Sequence, residues 1–216
     1  LIKRTRKDEV RLIDMTIRML VEPQFDVDMD LLTTTLADES ARKQAMLIEC
    51  ADVMGIRLTD MSDEDAAQEC LTVLSSANKF AMFLEALRID VPTKISPTTG
   101  KEIPALAKTD EEFLSLQGHQ NALVATAAAA RLDAKSTILQ TRIQAFMDAA
   151  NAHPDKKVPI PLKYYGADTT GRWSGWGYNP QNLPRVNPYD PKPSDALRSS
   201  LVAPAGKKIV VADLSG

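Results

Sequence analysis

The chain has 216 residues, 44% hydrophobic and 25% charged, with a net charge of −3, which is ordinary for a globular protein of one large or two small domains. No apolar run reaches the roughly 18 residues of a membrane span, and the basic start, Lys3 to Lys7, lacks the apolar core of a signal peptide behind it. The balance alone argues against an obvious nucleic-acid binder, but residues 1–130 carry 14 basic against 22 acidic side chains and residues 131–216 carry 12 against 7, so a polyanion-facing surface belongs to the second part.

In chain order, Val10, Ile13, Ile17 and Leu20 recur at helical spacing, and Pro23 ends that helix. Gln24 to Asp28 reads as a short extended piece. A second helix starts near Asp28 or Asp30 and runs to Met54, with Gly55 as its stop. Ser62 with Asp65 resembles a capping box that opens a helix through Leu74, and Asn78 to Leu87 gives another with Phe80, Phe83, Leu84 and Leu87 on one face. Val91 to Lys108 has three prolines, a Thr-Gly turn and three lysines, the composition of an exposed loop. Thr109 to Glu112 forms a capping box at the start of a further helix.

His119 to Ala150 is the longest helical pattern, Ala-rich from Ala122 to Ala134, with a coiled-coil arm as the rival reading. Counted at about 100° per residue, Arg131, Lys135 and Arg142 fall on one face, flanked by Ser136 and Thr137. A solvated face accounts for such a stripe from spacing alone; phosphate contact is the alternative. Beyond Pro154 the pattern changes to an edge strand with Pro159 and Pro161, which places a domain boundary near 151–157. Cys50 and Cys70 have no metal-ligand spacing and read as reduced thiols of a cytoplasmic-type compartment.

The last fifty residues carry the chemistry. Thr170-Gly171-Arg172 is a turn presenting a guanidinium. Asn179, Gln181 and Asn182 present amides, which match the donors and acceptors of minor-groove base edges, and Arg185 follows. Trp173, Trp176 and Tyr178 read either as core or as neighbours of a nucleic acid. Ile209 to Ala212 reads as a short buried strand that ends in Asp213, a hard oxygen ligand for a divalent cation. Each piece alone is weak.

In this order the motifs resemble those of family A (DNA polymerase I-like) DNA polymerases, and more closely their bacteriophage branch. The matching residues are T-G-R-W-S-G from Thr170, N-P-Q-N-L-P-R from Asn179, and L-R-S-S-L-V-A-P-A-G-K-K-I-V-V-A-D-L-S from Leu197 to Ser215. Ala130-Arg131-Leu132 with Lys135-Ser136-Thr137 resembles the family's thumb helix, and Val21 to Asp28 the lead-in after its exonuclease domain. The resemblance implies a mainly α fold with a small α+β part: a lead-in over 1–28, a helical thumb over 29–150 and the first part of an antiparallel palm over 151–216.

It also implies roles. Arg131, Lys135, Ser136, Thr137 and Arg142 would hold the primer–template backbone. Arg172, Asn179, Gln181, Asn182 and Arg198 would lie along the duplex near the primer end. Asp213, with the Leu214 backbone carbonyl, would bind Mg²⁺ for nucleotidyl transfer to a primer 3′-hydroxyl. The implied partners are primer–template DNA, deoxynucleoside triphosphates and, for a split enzyme, the remaining polymerase segments on another chain. No membrane is implied, and the location would be the cytoplasm, of a host if the source is viral. The chain starts at Leu1 and stops inside the last motif, so a fragment without activity of its own is expected. A piece of a split enzyme and a non-catalytic helical DNA-binding module are the alternatives.

Overall fold

The computed structural model describes residues 6–183, 186 and 192–211. They form a mainly helical chain with three small antiparallel ladders: α1 (Lys7–Val21), β1 (Asp26–Val27), α2 (Met29–Val53), α3 (Asp63–Ser75), α4 (Ala77–Ala86), β2 (Thr93–Ile95), β3 (Glu102–Pro104), α5 (Glu111–Ser115), α6 (Ala122–Ala134), α7 (Ile138–Ala152), β4 (Leu162–Ala167), β5 (Arg172–Gly175), α8 (Ala196–Ser199) and β6 (Leu201–Val202). The ladders pair β1 with β6, β2 with β3 and β4 with β5. This is the expected fold class. Among the described residues no helix is long and apolar enough to cross a membrane.

The chain divides into two compact units, residues 39–137 and the two flanking stretches up to Asp38 and from Ile138 onward. These boundaries differ from the expected 28/29 and 150/151, because α7 and the first turns of α2 share a core with the flanking stretches. That core holds Leu32, Ile143, Phe146, Val158, Leu183 and Leu197. Burying each such side chain contributes about 2 kcal/mol. The 39–137 unit has its own core, in which Ala66, Ala67, Ala127 and Ala128 allow close helix approach around Leu74, Phe80, Leu84, Phe113 and Val124. Cys50 and Cys70 are buried there as free thiols.

Several start signals act as the sequence suggests. The Asp28 carboxylate accepts from the Leu31 N–H at 2.9 Å, and the Ser62 hydroxyl from the Asp65 N–H at 3.1 Å. Ser76, which is not among the expected signals, also caps α4, through the Lys79 N–H at 3.2 Å, so that helix begins at Ala77. Asp110 does otherwise: its side chain caps no helix and accepts from Lys94 Nζ at 2.7 and 2.8 Å and from the Ala107 N–H at 2.8 Å. It ties the β2–β3 hairpin to the following loop, and α5 is only five residues long.

Two expectations are corrected. The long helix over 119–150 is two helices, with Lys135, Ser136 and Thr137 outside both. The last turn of α6 closes with the Lys135 N–H on the Arg131 carbonyl and the Ser136 N–H on the Asp133 carbonyl, a tightening that ends a helix rather than extends it. The run Ile209–Val211 is neither a strand nor buried: Ile209 is 45% exposed, Val210 85% and Val211 89%. Among the described residues no strand pairs with it, so its apolar side chains stay in water.

Candidate nucleic-acid interface

In the 39–137 unit, the residues expected to hold phosphate separate into two kinds. Arg131 is 1% exposed, although it was expected on an outer face. Its guanidinium donates to the carbonyls of Leu74, Ser76 (3.2 Å) and Leu106 (3.3 Å). It also lies over the Phe80 ring at 4.9 Å and the Phe113 ring at 6.0 Å. The charge therefore satisfies the carbonyl end of α3, where a helix dipole favours a cation. Burial lowers its pKa. Arg131 is a structural cation, and the three-residue stripe does not exist as drawn: one member is internal, and an angular count does not carry across the non-helical residues before Arg142.

Lys135, Ser136 and Thr137 remain as an exposed turn at the end of α6. Among the described residues the Lys135 ammonium has no ion pair, and neither hydroxyl is hydrogen-bonded. Partial burial, and then the nearby Arg131 charge, lower the Lys135 pKa. A cation and two hydroxyls next to one another suit the oxygens of a phosphodiester.

In the other unit, β4 and β5 form a hairpin. Its turn is Asp168 to Gly171, with Gly171 at φ +64° and the Tyr165 ring against it, so a side chain there meets both backbone strain and a clash. Arg172 opens β5 opposite Ala167, exposed and with no partner among the described residues. Trp173 is anchored by its Nε1–H on Thr16 Oγ1 at 2.8 Å and lies edge-on to Tyr164 at 6.2 Å. It is a structural residue of this unit, whereas Trp176 is 45% exposed. Tyr178 packs edge-on to Phe146 at 4.6 Å, and burial raises its phenol pKa.

The amides follow. Asn179 is left-handed at φ 46°, which places Pro180–Asn182 in a tight 3-10 turn. A Cβ at Gly175 would stand 2.0 Å from Asn179 Oδ1, so only glycine admits the Asn179 side chain there. Asn179 Oδ1 and the Tyr178 hydroxyl are buried without a hydrogen-bond partner. The Asn179 amide therefore faces inward, unlike the outward reader expected. Gln181 is exposed and donates to the Trp173 carbonyl at 3.4 Å. The Asn182 carbonyl accepts from Arg142 at 3.1 Å, and the Leu183 carbonyl from Arg198 at 2.9 Å. Arg142 and Arg198 thus brace this loop from two helices, and the structure brings them together with the amides in one unit.

Asp213 and Leu214, the expected metal ligands, lie outside the described residues, as does Arg185. Among the described residues no group of three His, Cys, Asp or Glu side chains could hold a metal ion. Arg42 and Lys43, which hold the residues around the Lys135 turn, were not singled out in the sequence. The Glu39-x-x-Arg42 spacing signals a local pair, but nothing in the linear order points to Asp133.

No family model and no curated protein matches the sequence. Among solved structures, the chain is similar to the POL domain of Pol1 from M. smegmatis in complex with DNA primer-template and dNTP. The TM-score is 0.54 at 18% identity, over 85% of this chain and 27% of that chain. The likeness shows a fold shared with part of that domain, and this chain spans about a quarter of that structure's length.

Proposed function

We propose that this chain is the primer–template-binding part of a family A DNA polymerase of the bacteriophage type. The observation that carries the reading is the fold likeness over 85% of the chain to a polymerase domain solved with DNA and dNTP. The ordered motifs from Thr170 to Ser215 lead to the same family independently. In this reading residues 39–137 belong to the thumb and the β4–β5 hairpin to the start of the palm. Lys135, Ser136 and Thr137 hold the DNA backbone from the thumb. Arg172 and Gln181 lie along the duplex, and Arg142, Asn179, Asn182 and Arg198 shape the loop that follows β5. Asp213, with the Leu214 carbonyl, is one member of the Mg²⁺ site of the intact enzyme, which adds nucleotides to a primer 3′-hydroxyl.

Binding tests the DNA part. A labelled primer–template titrated with the chain at increasing salt should lose affinity steeply, because each phosphate contact releases condensed counterions. Lys135→Ala and Arg172→Ala should each lower the slope of log K against log salt by about 1 and weaken binding on all sequences alike. A slope that neither substitution changes returns both residues to plain solvated charges.

A further inference from the structure

The Lys135–Thr137 turn is held by a network that none of the expected contacts includes. Arg42 on α2 lies between two carboxylates. Its Nε and Nη2 donate to Glu39 at 2.8 and 2.9 Å, and its Nη1 and Nη2 donate to Asp133 at 2.9 Å each. The next residue on α2, Lys43, one helical turn beyond Glu39, donates from Nζ to the Ser136 carbonyl at 2.5 Å and lies 3.9 Å from Glu39. Glu39 is 8% exposed, so the acidic base of this network is buried. All these residues belong to the 39–137 unit.

The geometry is that of a splint. Asp133 is in the last turn of α6, and its carbonyl accepts the Ser136 N–H at 3.0 Å. Arg42 therefore fixes the residue on one side of Lys135, and Lys43 fixes the backbone on the other. Paired two-point bonds from a planar guanidinium set direction as well as distance. The Lys135 ammonium and the Ser136 and Thr137 hydroxyls are left outward and uncommitted. A ligand that meets a preset turn loses less ordering entropy on binding.

We propose that Arg42, Lys43 and Asp133 are positioning residues that pre-set the Lys135–Thr137 turn for a phosphodiester backbone. This rests on the reading of that turn as a DNA-backbone contact. Asp133 makes the decisive variant, because positioning and simple electrostatics predict opposite signs. Asp133→Asn removes a negative charge, so a field effect alone would tighten DNA binding. Loss of the two-point bond would weaken it instead.

The test is anisotropy of a labelled primer–template with the full 216-residue chain as wild type, Asp133→Asn, Asp133→Glu and Lys135→Ala, together with hydrogen exchange at the amides of 135–137. Positioning gives about three- to tenfold weaker binding by Asp133→Asn, with an unchanged circular dichroism spectrum and faster exchange at those amides. Asp133→Glu, which keeps the carboxylate, retains most of the affinity. Tighter or unchanged binding by Asp133→Asn overturns the positioning role while Lys135→Ala still weakens binding. If the wild type does not bind, or Lys135→Ala has no effect, the phosphate reading itself falls. Unchanged amide exchange in Asp133→Asn then also removes the splint.

Discussion

Arg131 shows how a residue type misleads when its surroundings are unseen. Next to Lys135 and in a basic stretch it reads as a DNA contact, yet its guanidinium supplies donors to three internal carbonyls. Arg131→Met, which keeps the stem and removes the donors, should destabilise the chain by about 3 kcal/mol in urea unfolding, because buried carbonyls lose their partners. Arg131→Lys should recover little of this, since one ammonium cannot replace the planar fork. The salt dependence of DNA binding should not change in either. Full stability with lost DNA affinity in Arg131→Met would place the cation at the DNA after all. A second residue-scale expectation concerns acid. The hydrogen bond from Arg42 holds the Glu39 carboxyl below the ordinary glutamate value of 4.5. Its folded pKa is the lower one, so its contribution is full above 4.5 and is lost as pH falls through the folded value. The melting-temperature gap between wild type and Glu39→Gln should therefore close below pH 4.5, and parallel curves down to pH 3 would contradict the pair.

At the level of elements, local rules were legible and long-range ones were not. The caps at Asp28 and Ser62 need only residues three apart, so the sequence displays them. The break after Ala134 does not show, because the apolar pattern continues through Leu139, Ile143 and Phe146 and the high propensity of the Ala run masks the stop. The Asp110 carboxylate had an equally good local use and took a long-range one, with Lys94 sixteen residues away. Burial of Asn179 was hidden for the same reason: it depends on Gly175 leaving room across a turn. The site was thus readable as a set of residue types in order. Which of them point outward depends on packing partners distant in sequence.

For the whole molecule, the helical content was legible in the apolar spacing, whereas the antiparallel pairing of the small β part came only from the resemblance and the β2–β3 hairpin lies in a stretch that reads as a loop. The division into units was not legible, because α2 contributes to both cores. The charge separation also acquires a more specific meaning. Residues 39–137 carry 10 basic against 15 acidic side chains, so the DNA contact proposed there rests on a local turn and not on a basic face. The catalytic proposal belongs at this scale. Mg²⁺ takes near-octahedral oxygen ligation, and in the proposed function Asp213 would supply one carboxylate of such a set. Primer extension with Mg²⁺ and deoxynucleotides by this 216-residue chain should give no product, and appreciable synthesis would show that its own carboxylates suffice.

The exposed valines at 210 and 211 have a practical consequence. Lys207 and Lys208 stand directly before Ile209, and like charges at that position oppose the joining of two molecules through this apolar stretch. Added salt screens that repulsion, and it would also weaken the proposed attraction to DNA. On the proposed function, the same titration would take the chain off its duplex and toward itself, so colloidal stability and DNA affinity share a low-salt optimum.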